Sequence, residues 1–349
     1  MKVYNVEIFD KNIDYKDSVQ ITEFAYQYDY LDIDKSKVTV PAVKASKGDY
    51  IRITSQEGTE YNGIISDIKE KKNNIEISYK PFMNLTDVKT YVDMESYKDE
   101  YLEEIIGNVF ADLYIQNEDV LQNVPGMEVS IISNTAGILD FESGIINLYE
   151  MILDAFETHG IVCEFSIDVQ RKKIVMEIGK CMAAAFTIES DLPNILEKEI
   201  IIKEAKESTN KLIIYNEADF SEKVVYYKNT DDEITISNEK RVYPVIQESV
   251  TVKVPDSKTF EDVAKAKAES KLKASKYDNN IEITVAKNDL LVRPGKRKIG
   301  QEVNVKSGNT IYKSILTGID MDENVTLIFG SIRLELTKIL KRRFRNGTD

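Results

Sequence analysis

Apolar and polar residues alternate with a period of two along much of this chain, and two stretches do so in the same way. From Gly300 to Gly330 the sequence reads GQEVNVKSGNTIYKSILTGIDMDENVTLIFG. Val303 and Val305 alternate with polar neighbours, Tyr312, Ile315 and Leu316 follow, and Val325, Leu327 and Phe329 alternate again. Successive side chains of a strand point to opposite faces, so this spacing predicts three half-buried strands joined by turns. From Gly48 to Lys80, GDYIRITSQEGTEYNGIISDIKEKKNNIEISYK repeats it. Ile51 and Ile53 lie over Val303 and Val305, Tyr61 to Ile68 over Tyr312 to Ile319, and Ile75, Ile77 and Tyr79 over Val325, Leu327 and Phe329. The register needs two one-residue adjustments, both in expected turns, where length changes are tolerated. A duplication is the expectation, with Tyr61 and Tyr312 at equivalent positions.

The rest of the chain frames these two copies. Strands are expected at Val3 to Phe9, Val19 to Tyr28 and Lys37 to Val40, ahead of the first copy. That many short strands in so few residues favours a barrel or sandwich. After Pro81 the period changes. Ser96 with Asp99 offers a helix N-cap, and Tyr101, Leu102, Ile105, Ile106, Val109, Phe110 and Leu113 fall on one helical face. A strand at Glu128 to Ile132 precedes a second helix, with a stripe of Ile145, Leu148, Met151, Ile152 and Phe156 and a stop at Gly160. A hairpin around Gln170, Arg171 and Lys172 completes an α+β block.

Strands resume at Lys198 to Ile202, Lys211 to Tyr215, Glu222 to Tyr227, Glu233 to Ser237 and Val245 to Val254. One helix, Thr259 to Tyr277, carries a thin stripe of Phe260, Ala264, Ala268 and Leu272 and is expected to lie largely solvated on a β surface. A strand at Asn280 to Val285 leads into the second copy. The fold class is therefore α+β, predominantly β, with two related small β-barrels. The expected units are 1–88, a first barrel; 89–190, an α+β domain; 191–241 with 279–332, a second barrel in two pieces; 242–278, a helix-bearing insertion; and 333–349, a basic C-terminal segment.

Composition narrows the chemistry. The formal charge of -14 argues against a partner that presents phosphates, since neutralising DNA takes clustered Lys and Arg. An acidic wall can still stand beside DNA, because like charge keeps a duplex from sticking. Cys163 and Cys181 have no C-x-x-C spacing, so two free thiols and a reducing, cytoplasmic folding environment are expected. No run reaches the roughly 18 apolar residues of a membrane span, and the start, MKVYNVEIFDKN, reads as a strand without a signal-peptide core.

No catalytic, cofactor-binding or metal-binding residue is singled out, and no cofactor is expected. His159 is the only imidazole, so a Ser-His-Asp or Cys-His site would have to use it. Its place in the last turn of a helix suits a dipole contact better. Asp320-Met321-Asp322-Glu323-Asn324 has carboxylates at alternate positions, as a calcium loop does, but Val325 stands where such a loop needs glycine. It also falls where the repeat requires a hairpin turn. The basic end, Lys338, Lys341, Arg342, Arg343 and Arg345, reads either as a docking element for an acidic neighbour or as a frayed tail.

Leu31 to Pro41 (LDIDKSKVTVP), the GDYIRI strand, the ending from Gly300 to Gly330 and the SIRLELTKIL that follows resemble the baseplate hub family of phage and prophage tails. The resemblance covers nearly the whole chain and rests on architecture more than on invariant residues. It implies a homotrimer in which six similar barrels ring a channel, at the tail tip of a virion assembled in a bacterial cytoplasm. The tail tube or distal tail protein would sit above it, and a spike, fibre or tail lysin below. DNA would pass without specific binding, and the chain would not enter a membrane. Many members of the family continue into a peptidase or glycan-cleaving domain. This chain stops at Asp349, so that part is expected to be absent or on another polypeptide. The alternative reading is a tail-associated cell-wall hydrolase, which would need a catalytic constellation.

Overall fold

The computed structural model describes residues 2–33, 35–97, 100–136, 141, 143–182, 187–202, 209–231, 233–254, 259–272, 279–293 and 298–330. Asp99 of the expected cap, the end of the helix predicted to Tyr277 and the whole basic segment from 331 onward lie outside these residues.

Seven strands come first: β1 (Tyr4–Phe9), β2 (Tyr15–Ile21), β3 (Tyr26–Asp29), β4 (Ser36–Val40), β5 (Tyr50–Ser55), β6 (Gly58–Glu70) and β7 (Ile75–Pro81). Six of them form one sheet in the order β2-β1-β5-β6-β7-β4, all antiparallel. The alternation seen in the sequence sets its buried face, where Val6, Ile8, Ile51, Ile53, Ile65, Ile77 and Tyr79 are almost wholly enclosed. Each buried aliphatic side chain there contributes roughly 1.5–3 kcal/mol relative to exposure. The sheet curls until its outer strands β2 and β4 face each other across a groove of about 390 Å³, lined by Ile21, Thr39 and Pro41 among others.

The α+β block holds β8 (Lys89–Val92), α1 (Leu102–Tyr114), β9 (Met127–Ile131), β10 (Gly144–Asn147), α2 (Leu148–Asp154), β11 (Ile161–Asp168) and β12 (Lys173–Lys180). The first helix buries the predicted face except Tyr101, which becomes the N-cap residue and donates its backbone N–H to Glu104 at 3.1 Å. Ile145 departs from expectation. It lies in β10 opposite Tyr91 rather than on a helix, because the Asn147 side chain accepts from the backbone N–H groups of Tyr149 and Glu150 and starts α2 only at Leu148. The last turn of that helix widens into a π-turn at Ala155–His159, and Gly160, at φ +68°, ends it.

The final part contains β13 (Thr187–Glu189), β14 (Ile195–Ile202), β15 (Lys211–Asn216), β16 (Lys223–Lys228), β17 (Ile234–Thr235), β18 (Gln247–Val252), α3 (Phe260–Leu272), β19 (Asn279–Ala286), β20 (Glu302–Ser307), β21 (Thr310–Met321) and β22 (Asn324–Phe329). A seven-stranded sheet runs β13-β20-β21-β22-β19-β14, and β3, from the first part of the chain, also pairs with β21.

Strands 211–235 do not join that sheet, although the sequence placed 191–241 in the second barrel. With β18 they make a separate sheet, β17-β16-β15-β18. Leu212, Ile214 and Val252 of this sheet pack on Ala264, Ala268 and Leu272 of α3, a small core of its own. The apolar stripe on α3 is one reason: it needs a sheet face to cover it, and β15 and β18 supply one. The other large core is continuous through both main sheets and the α+β block.

The two predicted meanders match in detail. Tyr61 lies opposite Ile53, and Tyr312 opposite Val305, at the equivalent register. Tyr61 is buried while Tyr312 is half-buried. Pairing slips by one residue between Ile65 and Asp67 against β7, and between Leu316 and Gly318 against β22. Those are corresponding positions. Gly48 donates to Ile65 O at 2.9 Å, and Gly300 to Leu316 O at 2.8 Å. Both glycines sit at positive φ, +89° and +78°, where other residues are strained. A shared bulge is a strong mark of common architecture, since a one-residue slip would otherwise turn every later side chain to the other face.

Candidate assembly surface

The residues weighed for chemistry are dispersed. His159 sits in the π-turn, Cys163 is enclosed in β11 with burial pushing its thiol pKa well up, and Cys181 is half-buried beyond β12. Asp322 to Asn324 makes the hairpin turn the repeat called for, with Asp322 N donating to Asn324 O at 2.9 Å. Among the described residues no group of three His, Cys, Asp or Glu side chains is placed to hold a metal.

Two charged clusters stand out, one buried and one half-buried. Glu103 of α1 is fully buried and accepts from Ser133 Oγ, Thr135 N and Thr135 Oγ1, each at 2.7 Å. Burial pushes its pKa up, but the three donors outweigh burial and hold it below the usual value. Glu164 and Glu177 oppose each other on β11 and β12, and Lys298 reaches both, at 3.0 and 3.9 Å. Burial raises the Glu164 pKa, with Lys298 pulling the other way. Burial lowers that of Lys298, yet the carboxylates leave it raised on balance. Lys298 leads into β20, so the cluster ties the second meander to the α+β block. The sequence carried no local sign of either cluster, because their members are brought together only by packing.

What the surface does offer is strand edges. β3 runs antiparallel along the far half of β21, with Tyr26 opposite Met321 and Asp29 opposite Gly318. Tyr30 N extends the seam with a 2.8 Å bond to Thr317 O. Under this cover Gly318, Ile319 and Met321 are buried. The corresponding stretch of β6, Asp67 to Glu70, extends past the end of β5 and pairs only with β7 among the described residues. There Asp67, Lys69 and Glu70 are exposed and Ile68 is half-buried. Strand β14 likewise pairs only with β19 and leaves its outer edge open among the described residues. Apolar surface is also exposed on the two-stranded β8–β10 ribbon, where Tyr91 and Ile145 face each other at 69% and 76% exposure. No described helix is long and apolar enough to cross a membrane.

No family model and no curated protein matches the chain. Solved structures do. A tail protein from Neisseria meningitidis MC58 superposes with a TM-score of 0.57 at 13% identity, over 94% of this chain and 96% of its own. The 43 kDa tail protein of prophage MuSo2 from Shewanella oneidensis gives 0.55 at 12%, over 93% and 97%. A chain of the p2 virion baseplate in its activated conformation gives 0.50 at 11%, over 94% and 98%. The chain thus has the fold of phage and prophage tail proteins. It shares that fold with a chain of a virion baseplate as well, over 94% of its length.

Proposed function

We propose that this chain is a structural hub of a phage or prophage tail tip: three copies close a ring that joins the tail tube to a central spike or fibre and lets DNA pass. The observation that carries this reading is the duplicated meander with its shared bulge, inside a fold that tail proteins share over nearly their whole length. Two like units per chain give a trimer pseudo-six-fold symmetry on one side and true three-fold symmetry on the other. A six-fold tube can then meet a three-fold spike.

In this reading the first hub unit is 1–88, and the second is 191–202 with 279–330. The α+β block and the β15–β18 sheet with α3 are projections that leave the ring alone. The net charge of -14 suits a bore whose carboxylates repel passing DNA over about one Debye length, roughly 8–10 Å at ordinary salt. The protein works by assembly rather than by catalysis, within the virion. Light scattering over a range of concentrations, followed by negative-stain microscopy, tests the proposal: three-chain rings support it. Six copies in an assembled tail tip, or α1 lining its channel, would overturn it.

A further inference from the structure

The seam between β3 and β21 joins the first unit of the chain to the second, and its internal equivalents specify a second seam. Strand β4 pairs with β7 at Ser36–Tyr79, Val38–Ile77 and Val40–Ile75. Strand β19 pairs with β22 at Ile281–Phe329, Ile283–Leu327 and Val285–Val325. Since β7 corresponds to β22, Ser36 corresponds to Ile281. Ser36 Oγ donates to Gln27 O at 2.9 Å and accepts from Gln27 N at 3.1 Å, so β3 runs beside β4 there. Ile200 of β14 is the partner of Ile281. Strand β14 is therefore the second unit's counterpart of β3, and Ile200 that of Gln27.

In the chain's own seam, β3 covers β21, whose counterpart is β6. The counterpart of that seam within the second unit would need β14 to reach a β6. The edge of β6 at Asp67 to Glu70 and the outer edge of β14, both open among the described residues, are the two halves of such a joint. We infer that β14 of one copy adds antiparallel to the Asp67–Glu70 edge of β6 in the next copy. The register follows from Tyr28–Ile319 and Gln27–Asp320: Ile201 opposite Ile68, and Ile200 opposite Lys69. Open edges invite pairing, and a strand-to-edge joint gains main-chain hydrogen bonds along its length. The bulge at Leu196 and the charges at Glu197, Lys198 and Glu199 discourage pairing along the first half of β14, leaving Ile200 and Ile201 for it. The same register sets Glu199 opposite Glu70 at the rim, a like-charge pair that weakens that end and leaves the Ile201–Ile68 and Ile200–Lys69 positions to carry the joint. The joint is heterologous, one surface on a different one, so it closes into a ring when the rotation allows. It rests on the ring reading above and specifies what seals it.

The test uses the full chain with Cys181→Ser, leaving Cys163 enclosed, and carries Ile68→Cys with Ile201→Cys. A short thiol-to-thiol crosslinker is applied at concentrations where rings are present, and chains are sized under denaturing conditions. Most of the protein is expected in covalent two- and three-chain species, and little with Ile68→Cys and Leu196→Cys, which are out of register. Rings that form without the first pair linking, or with both pairs linking equally, overturn the seam and spare the ring. A single-chain mass at every concentration and no rings by microscopy overturn both.

Discussion

Ser66 and Thr317 do the same work in two places. Each is the extra residue at the bulge of its meander, and each donates its hydroxyl to the backbone carbonyl across the slip: Ser66 Oγ to Ser78 O at 3.1 Å, Thr317 Oγ1 to Ile328 O at 3.3 Å. Ser78 and Ile328 are themselves corresponding residues. A bulge leaves a carbonyl out of the ladder, and a hydroxyl at that position supplies the missing donor. The chain keeps a β-hydroxy residue there in both copies while most neighbours differ.

Thr317 Oγ1 also lies 2.7 Å from Gly330 O, so its single proton is shared between two carbonyls, and the residue is wholly buried. Thr317→Val should therefore destabilise the chain by about 1–3 kcal/mol, because the buried carbonyls lose the one proton that the hydroxyl shares between them. Ser66→Ala, half-buried with one bond, should cost less than about 1 kcal/mol. Urea unfolding of both variants checks the order; equal losses would mean that the two bulges are not held as described.

Gly330 sits at φ +93°, and a Cβ there would lie 1.8 Å from Asn279 O. Gly330→Ala is expected to lose on the order of 4 kcal/mol or more, since backbone must move on both strands. Gly144, whose φ is not positive and where a Cβ would meet no described atom within 4 Å, should accept alanine with little change. Thermal melts of the two variants decide it.

Lys298→Met should have a pH-dependent effect. Burial raises the Glu164 pKa, so the charged form of that group costs stability as pH rises through the raised value, and Lys298 offsets the cost. Without the lysine, the loss at pH 7 should be about 1 kcal/mol, reduced from the buried-pair range because the groups are partly exposed. It should shrink as pH falls through the raised value and Glu164 takes up a proton. A loss that grows on acidification would contradict this account.

Glu103 carries the opposite sign. Its pKa is held down in the folded chain, so its contribution is present above the ordinary glutamate range and is lost as pH falls through the lowered value. Glu103→Leu should cost about 2–4 kcal/mol at pH 7, leaving the Ser133 and Thr135 donors without their acceptor, and less at pH 3. The comparison is made by chemical unfolding at the two pH values.

Ile202 and Asn279 are cross-strand partners, so residues 203–278 leave and re-enter the sheet at neighbouring strand ends. Replacing them by a short Asn-Gly turn should keep the β14–β19 hairpin and the main core, because the inserted sheet and α3 have a core of their own. Circular dichroism and a cooperative melt within a few degrees of the parent are expected. Collapse of the shortened chain would show that the insertion supports the main sheet.

The sequence by itself determined the faces and the local joints. Period-two alternation placed Ile51, Ile53, Val303 and Val305 on buried faces, and the match of two stretches predicted the equivalent register later found for Tyr61 and Tyr312. The turn at Asp322 to Asn324 and the stop at Gly160 were legible because both depend on neighbours in the chain. Tertiary structure decided what local pattern cannot encode. Alternation says which face of a strand is buried, but not which strand lies at its edge. Thus 19–28 read as one run, yet it breaks into β2 and β3, and β3 pairs with a strand almost three hundred positions away. The same is true of β15 to β17, whose pattern suited either sheet until α3 needed a surface to cover its stripe. Ile145 is the smallest case: its spacing fitted a helix, and one Asn147 side chain capping two backbone N–H groups moved it into a strand.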